Sequence, residues 1–189
     1  MKKVLILLFC LCMSISSFAQ EMYFIYQKSL EFKTPDGRDF VVFDCPEKTA
    51  AELTASVKDN FSKIKGFRET LTDDALQTEV TIDLFQRPIV TLRGQDWYAD
   101  ITIKMQFKDG RFRIIAPVIK QFYRPDPLFG KAKGPDGVLM TVCTPQDALG
   151  MLERRHVFNP TNDKYYDFNR SVSALILKLI SVPVKDEEW

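Results

Sequence analysis

The chain has 189 residues and a formal net charge of +1 at pH 7, with 26 basic residues against 25 acidic ones. Such a balance gives no overall attraction to nucleic acid or to an anionic membrane, and the length suits one domain with its own core. Because of this charge balance we do not expect a nucleic-acid-binding protein. No internal repeat and no low-complexity segment is present, so we do not expect a repeat protein either.

Residues 1–19 have the pattern of a signal peptide. Met1-Lys2-Lys3 is a basic n-region, Val4 to Met13 is apolar, and Ser17-Phe18-Ala19 places small residues before a cut at Gln20. The apolar segment is short for a membrane span, and a retained anchor or a lipid anchor are the alternatives. We expect export to the periplasm or the outer envelope, with no transmembrane span after cleavage.

Cleavage would leave residues 20–189 as a single α+β domain. Removing Lys2 and Lys3 from the 26 basic residues leaves 24 against 25 acidic ones, a net charge of −1. Of the four cysteines, Cys45 and Cys143 remain. Export permits a disulfide between them, but we favour two buried thiols that behave as small hydrophobic residues, because the sequence says nothing about their separation in space.

The first part of this domain is predicted as strands. Residues 22–33 are rich in aromatic side chains, as strands often are. Pro35-Asp36-Gly37 is a turn signal, and Asp39 to Cys45 is predicted as the next strand.

A helix is predicted next. Thr49 and Glu52 form a capping box at its start, and Gly66 stands where a left-handed cap would end it. The apolar residues that recur on one face are Ala50, Leu53, Val57, Phe61 and Ile64.

Four antiparallel strands are expected after the helix. Glu79 to Gln86 alternates, Gln86-Arg87-Pro88 is predicted to turn the chain into Ile89 to Arg93, and Gly94-Gln95-Asp96 to turn it again. A hairpin completes the meander, and its last arm extends as far as residues 122–123. Such a sheet has one core face that helices must cover.

The hairpin spans Ala99 to Ala116 around Asp109-Gly110, which suits a type I′ turn. Alternation then places Trp97 on the core face and leaves Tyr98 on the surface as a stacking residue. The predicted cross-strand pairs are Lys108 with Arg111, Phe107 with Phe112, Gln106 with Arg113 and Met105 with Ile114.

Residues 124–137 contain three prolines and three glycines and are predicted as a long surface loop. Leu128 and Phe129 lie near its tip, where they either fold back onto the domain or contact a partner. We favour packing against the domain. Thr144-Pro145 then opens a helix of about 145–155.

A long amphipathic helix of about 164–182 closes the chain. Its apolar residues are Phe168, Val172, Leu175, Ile176, Leu179 and Ile180. The order of strand, helix, four-stranded meander and helices predicts an α+β domain with helices packed on one face of the sheet.

The chain resembles a family of small exported bacterial proteins of unknown function with a TATA-binding-protein-like (TBP-like) fold. Val41-Val42-Phe43, the helix start at Ala50-Ala51-Glu52-Leu53 and Lys108-Asp109-Gly110-Arg111-Phe112-Arg113 carry this resemblance, which covers about 38–122. It implies the fold but no activity and no catalytic or cofactor residue. A saddle-shaped sheet does not make a DNA-binding protein, and the net charge argues against nucleic acid.

The polar face of the hairpin is the first candidate site. It gathers Lys104, Lys108, Arg111 and Arg113 around Gln106. A patch for an anion or an acidic partner is one interpretation, and a solvated face that discourages edge pairing is the other, which we favour. The directly opposed charges of Lys108 and Arg111 cost a few tenths of a kcal/mol, which suggests a purpose.

Catalysis has no support in the sequence. Glu79 and Asp83 share a strand face, but about 13 Å of extended chain separates them, which is too far for a glycosidase pair. His156 has no partner at a metal-ligand spacing and is expected at a helix end or on the surface. We predict no metal, no cofactor and no catalytic residue.

Three functional hypotheses follow. The first is a non-enzymatic envelope domain that binds a protein or a small molecule through the basic residues and through Leu128 and Phe129. The second is a hydrolase whose site assembles from distant residues. The third is a structural envelope component without a discrete ligand.

Overall fold

The computed structural model of the protein describes residues 22–62, 69–73, 79–134, 137–155 and 157–180. The helices are α1 (Ala50–Ser62), α2 (Pro145–Arg154) and α3 (Asp163–Ile180). The strands are β1 (Ile25–Tyr26), β2 (Phe32–Lys33), β3 (Phe40–Asp44), β4 (Glu69–Asp73), β5 (Glu79–Leu92), β6 (Gln95–Lys108), β7 (Arg111–Ile115), β8 (Val118–Pro125), β9 (Ala132–Lys133) and β10 (Leu139–Cys143).

Strand β6 is the centre of an antiparallel sheet of eight strands within the described ranges. β5 pairs with β6 on one side and is itself bordered by β4. On the other side, β7 and β8 lie end to end along β6, and β3 extends the sheet from β7 while β10 and β9 extend it from β8. β1 and β2 form a separate two-stranded sheet. A four-stranded meander, β4–β5–β6–β7, is therefore present.

The members of this meander differ from those predicted. Gln86-Arg87-Pro88 does not turn the chain, because Glu79–Leu92 is one continuous strand with two irregularities in its register against β6. Gln86 has a φ of 55°, and its N–H donates to Asp100 Oδ1 at 2.7 Å. The positive φ and the proline therefore mark β-bulges, which bend a strand without ending it.

The register of the β6–β7 hairpin is confirmed in all four predicted pairs, but the prediction of a type I′ turn at Asp109-Gly110 is wrong. Gly110 alone of the two has a positive φ. Asp109 Oδ1 instead accepts the Ala50 N–H at 2.8 Å, and the Gly110 N–H donates to the Lys48 carbonyl at 2.8 Å. The two positive φ angles of a type I′ turn occur at Arg93-Gly94, between β5 and β6.

The predicted helix starts are confirmed. The Thr49 N–H donates to Glu52 at 2.8 Å and the Glu52 N–H donates to Thr49 Oγ1 at 3.3 Å, which is the reciprocal capping box. Thr144 Oγ1 accepts the Asp147 N–H at the start of α2. Residues 1–19, Gly66 and 181–182, on which other predictions fall, lie outside the described residues.

The α+β class is confirmed, and the three helices of the described ranges share one apolar cluster with the sheet. α1 contributes Leu53 and Val57 to this cluster, and Trp97 is buried in it as predicted. No helix in the described ranges is both long and apolar enough to cross a bilayer. Cys45 and Cys143 are free thiols; Cys143 is buried as predicted, whereas Cys45 is half-buried. Burial raises the pKa of Cys143.

A second, smaller apolar cluster lies on the opposite face of the sheet. It consists of Tyr98, Tyr123 and Met140, with Ala132 packed against it. The prediction that Tyr98 is a surface residue is therefore wrong, since only 5% of it is exposed. The segment that covers it was predicted as an unstructured loop, and β9 pairs there with β10.

Candidate binding site on the outer face of the sheet

Two rows of side chains cross the outer face of the sheet, which is the face opposite the helices. The registers align Val42 on β3 with Arg113 on β7, Gln106 on β6 and Glu79 on β5. We call these four residues the first row. Beside it, Asp44, Arg111 and Lys108 form the second row. The strict alternation of β6 and β7 places every one of these side chains on the same face.

A concave site of about 550 Å³, which we call the basic groove, lies over these rows. Its lining includes Phe40 and Val42 from β3, Glu79 from β5, and Gln106, Lys108, Arg111 and Arg113 from the hairpin. Of the four predicted basic residues, the structure brings Lys108, Arg111 and Arg113 together in the groove. Lys104 is not part of the lining.

The first row is tied together by hydrogen bonds. Gln106 Nε2 donates to Glu79 at 2.6 Å, and Arg113 Nε donates to Gln106 Oε1 at 2.7 Å. Lys104 forms an ion pair with Glu79. The hydrogen bonds from Gln106 and then from Lys104 lower the pKa of the Glu79 carboxyl. Glu79 thus neutralises Lys104 and stays ionised, and neither residue is left as a free charge.

Arg113 is fixed in a second way. Its guanidinium carbon lies 5.4 Å from the centre of the Phe40 ring, which is a cation–π geometry. The ring and the hydrogen bond to Gln106 hold the guanidinium over the apolar side chains of β3. Arg113 keeps donors for a ligand, because a guanidinium has five N–H groups and Nε is only one of them.

Lys108 and Arg111 carry the uncompensated charge of the groove. Both are exposed, and neither makes an ion pair or a side-chain hydrogen bond with any described residue. Asp44 faces Arg111 across the β3–β7 register but forms no ion pair with it. Two adjacent, mutually repelling cations at the end of a rigid hairpin are suited to binding an anion, which removes the repulsion.

The edge of β3 is open within the described part of the chain, since β7 is its one strand partner there. The Cys45 N–H donates to Gly110 and the Ala116 N–H donates to the Asp39 carbonyl, so odd-numbered residues of β3 direct their backbone groups toward β7. The even-numbered residues therefore direct theirs outward. Val42 is 42% exposed on this edge. An open edge beside a groove can accept an added strand.

Leu128 and Phe129 lie outside the groove, in the turn that follows β8. Their predicted packing against the domain is wrong, since 82% of Leu128 and 78% of Phe129 is exposed. Asp126 causes this arrangement, because its carboxylate accepts the Phe129 N–H at 3.0 Å and holds the turn away from the body. The structure thus separates the predicted partner-binding residues into two surfaces.

The carboxylates do not form an acid–base pair. Asp83 accepts hydrogen bonds from Thr102 and from Lys120, the latter at 2.8 Å, whereas Glu79 is held by other partners. Burial raises the pKa of Asp83, but these two hydrogen bonds outweigh it and leave the pKa lowered. The described residues contain no group of three histidine, cysteine or acidic side chains that could hold a metal ion. His156 lies outside the described residues.

Phe40 and Val42 are the groove residues that sequence reasoning missed. Their alternation with Val41 and Phe43 marks β3 as a strand with two apolar faces. The sequence does not say that β3 pairs with β7, and it is this pairing that places Val42 beside Arg113. The apolar wall of the groove is therefore a result of topology.

Comparison with known proteins gives a match to a solved structure. No protein-family model and no curated protein matches the chain. Among solved structures, the chain is similar to a TBP-like protein from Parabacteroides distasonis ATCC 8503, with 9% sequence identity and a TM-score of 0.42. The match covers 70% of this chain and 90% of that protein.

Proposed function

We propose that this protein is a non-enzymatic, exported domain of the cell envelope that binds an acidic, extended segment of a partner protein in the basic groove. The observation that carries the proposal is a pair of cations, Lys108 and Arg111, that have no ion-pair partner among the described residues and lie on the hairpin that pairs with β3. The signal-peptide pattern of residues 1–19 supports export. The two isolated carboxylates, Glu79 and Asp83, give a hydrolase no comparable support.

The expected complex follows from strand geometry. An added strand would pair with the outward backbone groups of Phe40, Val42 and Asp44, about 4.8 Å beyond β3. Its outer-face side chains would then lie about 10 Å from β7, which is within the combined reach of arginine and glutamate side chains. Asp44 lies between the added strand and Arg111 and repels an acid placed directly beside it. We therefore expect the acidic residue to lie beside Val42, where Arg113 faces it along the row and Arg111 can reach it diagonally.

The two halves of the groove have different tasks in this complex. Phe40 and Val42 lie on the same face as the acidic side chains of the added strand and offer an apolar surface to their methylene groups. Arg113 is preorganised by Gln106 and Phe40, and therefore loses little freedom when it binds a carboxylate. A small anion would use the cations without the edge of β3, whereas an extended segment needs both.

The experiment compares two charge reversals of equal size. A fluorescent eight-residue peptide that alternates glutamate and valine is titrated against the chain from Gln20 to Trp189, which contains every described element, and polarisation is recorded. K108E/R111E should weaken binding at least about tenfold, because a charge-assisted hydrogen bond from Arg111 contributes more than about 1 kcal/mol and both reversed charges then repel the peptide. K131E/K133E, which makes the same change in charge away from the groove, should bind normally.

Two controls decide between the possible outcomes. A peptide N-methylated at every residue, which has no N–H group to donate to the edge of β3, should bind weakly if the ligand is an added strand. Equal binding of the methylated peptide would indicate an anion site without strand addition. Equal weakening by both double reversals would show that only the total charge matters, and would contradict a specific groove.

A further inference from the structure

The turn that presents Leu128 and Phe129 is unusual among the described surfaces. These two adjacent side chains are the most exposed large apolar residues, at 82% and 78%. They follow Pro127 in a segment that Arg124 and Asp126 begin. Large apolar side chains concentrated at a protruding tip mark an interaction surface more often than isolated exposed residues do. We call Pro127-Leu128-Phe129 the apolar tip.

The apolar tip is held rigidly. The Asp126 carboxylate accepts the Phe129 N–H at 3.0 Å, and the Asp126 carbonyl accepts the Gly130 N–H at 2.8 Å. Below the turn, the Asp126 N–H donates to the Leu139 carbonyl at 2.8 Å. Gly130 lies so close to the Leu139–Met140 backbone that a side chain there would collide with it. The tip is therefore fixed in the protruding position and cannot cover its own side chains.

The charge of the Asp126 carboxylate, which fixes the turn, is balanced by an ion pair. Asp126 accepts a hydrogen bond from Thr141 Oγ1 at 2.9 Å and forms an ion pair with Arg124 at 3.2 Å. The hydrogen bonds from the Phe129 N–H and from Thr141 lower the pKa of Asp126, so the turn keeps its acceptor at physiological pH.

The hydrogen bonds within the apolar tip favour its burial in lipid. A backbone N–H that enters an apolar medium without a partner is strongly unfavourable. Pro127 has no N–H, those of Phe129 and Gly130 are bonded inside the turn, and that of Leu128 lies near the Asp126 carboxylate. The N–H groups of the tip therefore have acceptors within the turn when it leaves solvent. A protein partner commonly surrounds an apolar anchor with hydrogen bonds, whereas lipid cannot provide them.

Charge complementarity points the same way. Lys131 and Lys133 follow the tip, and both are exposed. Neither makes an ion pair with a described residue. Lysines beside apolar side chains that enter the interface are attracted by anionic headgroups. The chain as a whole has almost no net charge, so this attraction is local to the segment.

We propose that the apolar tip docks this protein on the surface of an anionic lipid bilayer, with Leu128 and Phe129 inserted among the headgroups and the upper acyl chains and with Lys131 and Lys133 bound to anionic headgroups. This surface is separate from the basic groove. When the apolar tip is bound to the membrane, the basic groove remains available for its partner.

The test uses the chain from Gln20 to Trp189, so that the apolar amino-terminal segment cannot bind lipid itself. Vesicles of phosphatidylglycerol and phosphatidylcholine, and vesicles of phosphatidylcholine alone, are sedimented with the protein. Binding is expected to the anionic vesicles. L128S/F129S should weaken it at least about tenfold, because two buried apolar side chains are lost. V118S/V142S, which changes two other exposed apolar residues, should leave it unchanged.

A spectroscopic measurement locates the tip directly. In F129W, tryptophan emission should shift to the blue on anionic vesicles and be quenched by brominated acyl chains. K131E/K133E should weaken binding to anionic vesicles, whereas K108E/R111E should not. Absence of vesicle binding, binding that L128S/F129S does not change, or self-association that L128S/F129S abolishes would each overturn the proposal. Loss of vesicle binding with intact peptide binding would leave the basic groove unaffected.

Discussion

Replacing Asp109 with alanine tests the link between the hairpin and α1. Asp109 Oδ1 accepts the Ala50 N–H at 2.8 Å, across 59 residues of sequence, and so satisfies one of the free N–H groups at the start of α1. The Thr49–Glu52 capping box satisfies others independently. We therefore expect Asp109→Ala to remove one capping interaction of several, at a cost of about 1 kcal/mol.

The assay for this prediction is urea unfolding followed by the fluorescence of the buried Trp97. Asp109→Asn keeps the acceptor oxygen and loses only the charge near the helix dipole, so we expect it to cost about 0.5 kcal/mol or less. Asp109→Ala should also lower Tm by about 2–4 °C. Equal losses in the two variants, or no loss in Asp109→Ala, would refute the capping role.

Two further predictions concern stability. The Tyr26 hydroxyl is buried without a hydrogen-bond partner among the described residues, and burial raises its pKa to about 12. Tyr26→Phe should therefore leave the free energy of unfolding unchanged or raise it by about 1 kcal/mol. Marked destabilisation in urea unfolding would contradict this and show that the hydroxyl has a hydrogen-bond partner. The hydrogen bond from Gln106 is the largest cause that lowers the pKa of Glu79 below its usual 4.5. The ionised carboxylate therefore stabilises the fold above pH 4.5, and this stabilisation is lost as the pH falls through the lowered pKa. Glu79→Gln should flatten the dependence of unfolding free energy on pH below about 4.5, and an unchanged slope would contradict it.

The hairpin register was predictable because it depends on local information. Alternation along β6 and β7 permits one pairing that buries the apolar residues. The conformation of the turn was not predictable, because Ala50 and Lys48 make its decisive hydrogen bonds from another part of the chain. Asp109-Gly110 alone therefore predicts a type I′ turn, which is the turn that an isolated hairpin would favour.

The wrong break in β5 has a related cause. A turn and a bulge both use a positive φ and tolerate proline, so Gln86-Arg87-Pro88 indicates either one. The Asp100 carboxylate decides for the bulge by accepting the Gln86 N–H from the neighbouring strand. The same carboxylate accepts the Tyr123 hydroxyl at 2.6 Å beneath the second cluster. This buried polar contact is invisible in a pattern of apolar residues.

The candidate surfaces were predictable in part. The cations on the hairpin follow from parity, but the structure also shows that Glu79 on the neighbouring β5 pairs with Lys104. Lys108 and Arg111 have no ion-pair partner among the described residues. The tip was identified by composition, yet its orientation depends on Asp126. In both cases, one carboxylate determines which side chains are available to a partner.

Hydrogen exchange at β3 tests the binding proposal most directly. With the glutamate–valine peptide bound, the outward amides of Phe40, Val42 and Asp44 should become protected, while those of Val41 and Phe43, which face β7, should change little. In K108E/R111E, the same concentration of peptide should no longer protect these amides. Unchanged exchange at Phe40, Val42 and Asp44 with the peptide fully bound would contradict strand addition at the basic groove.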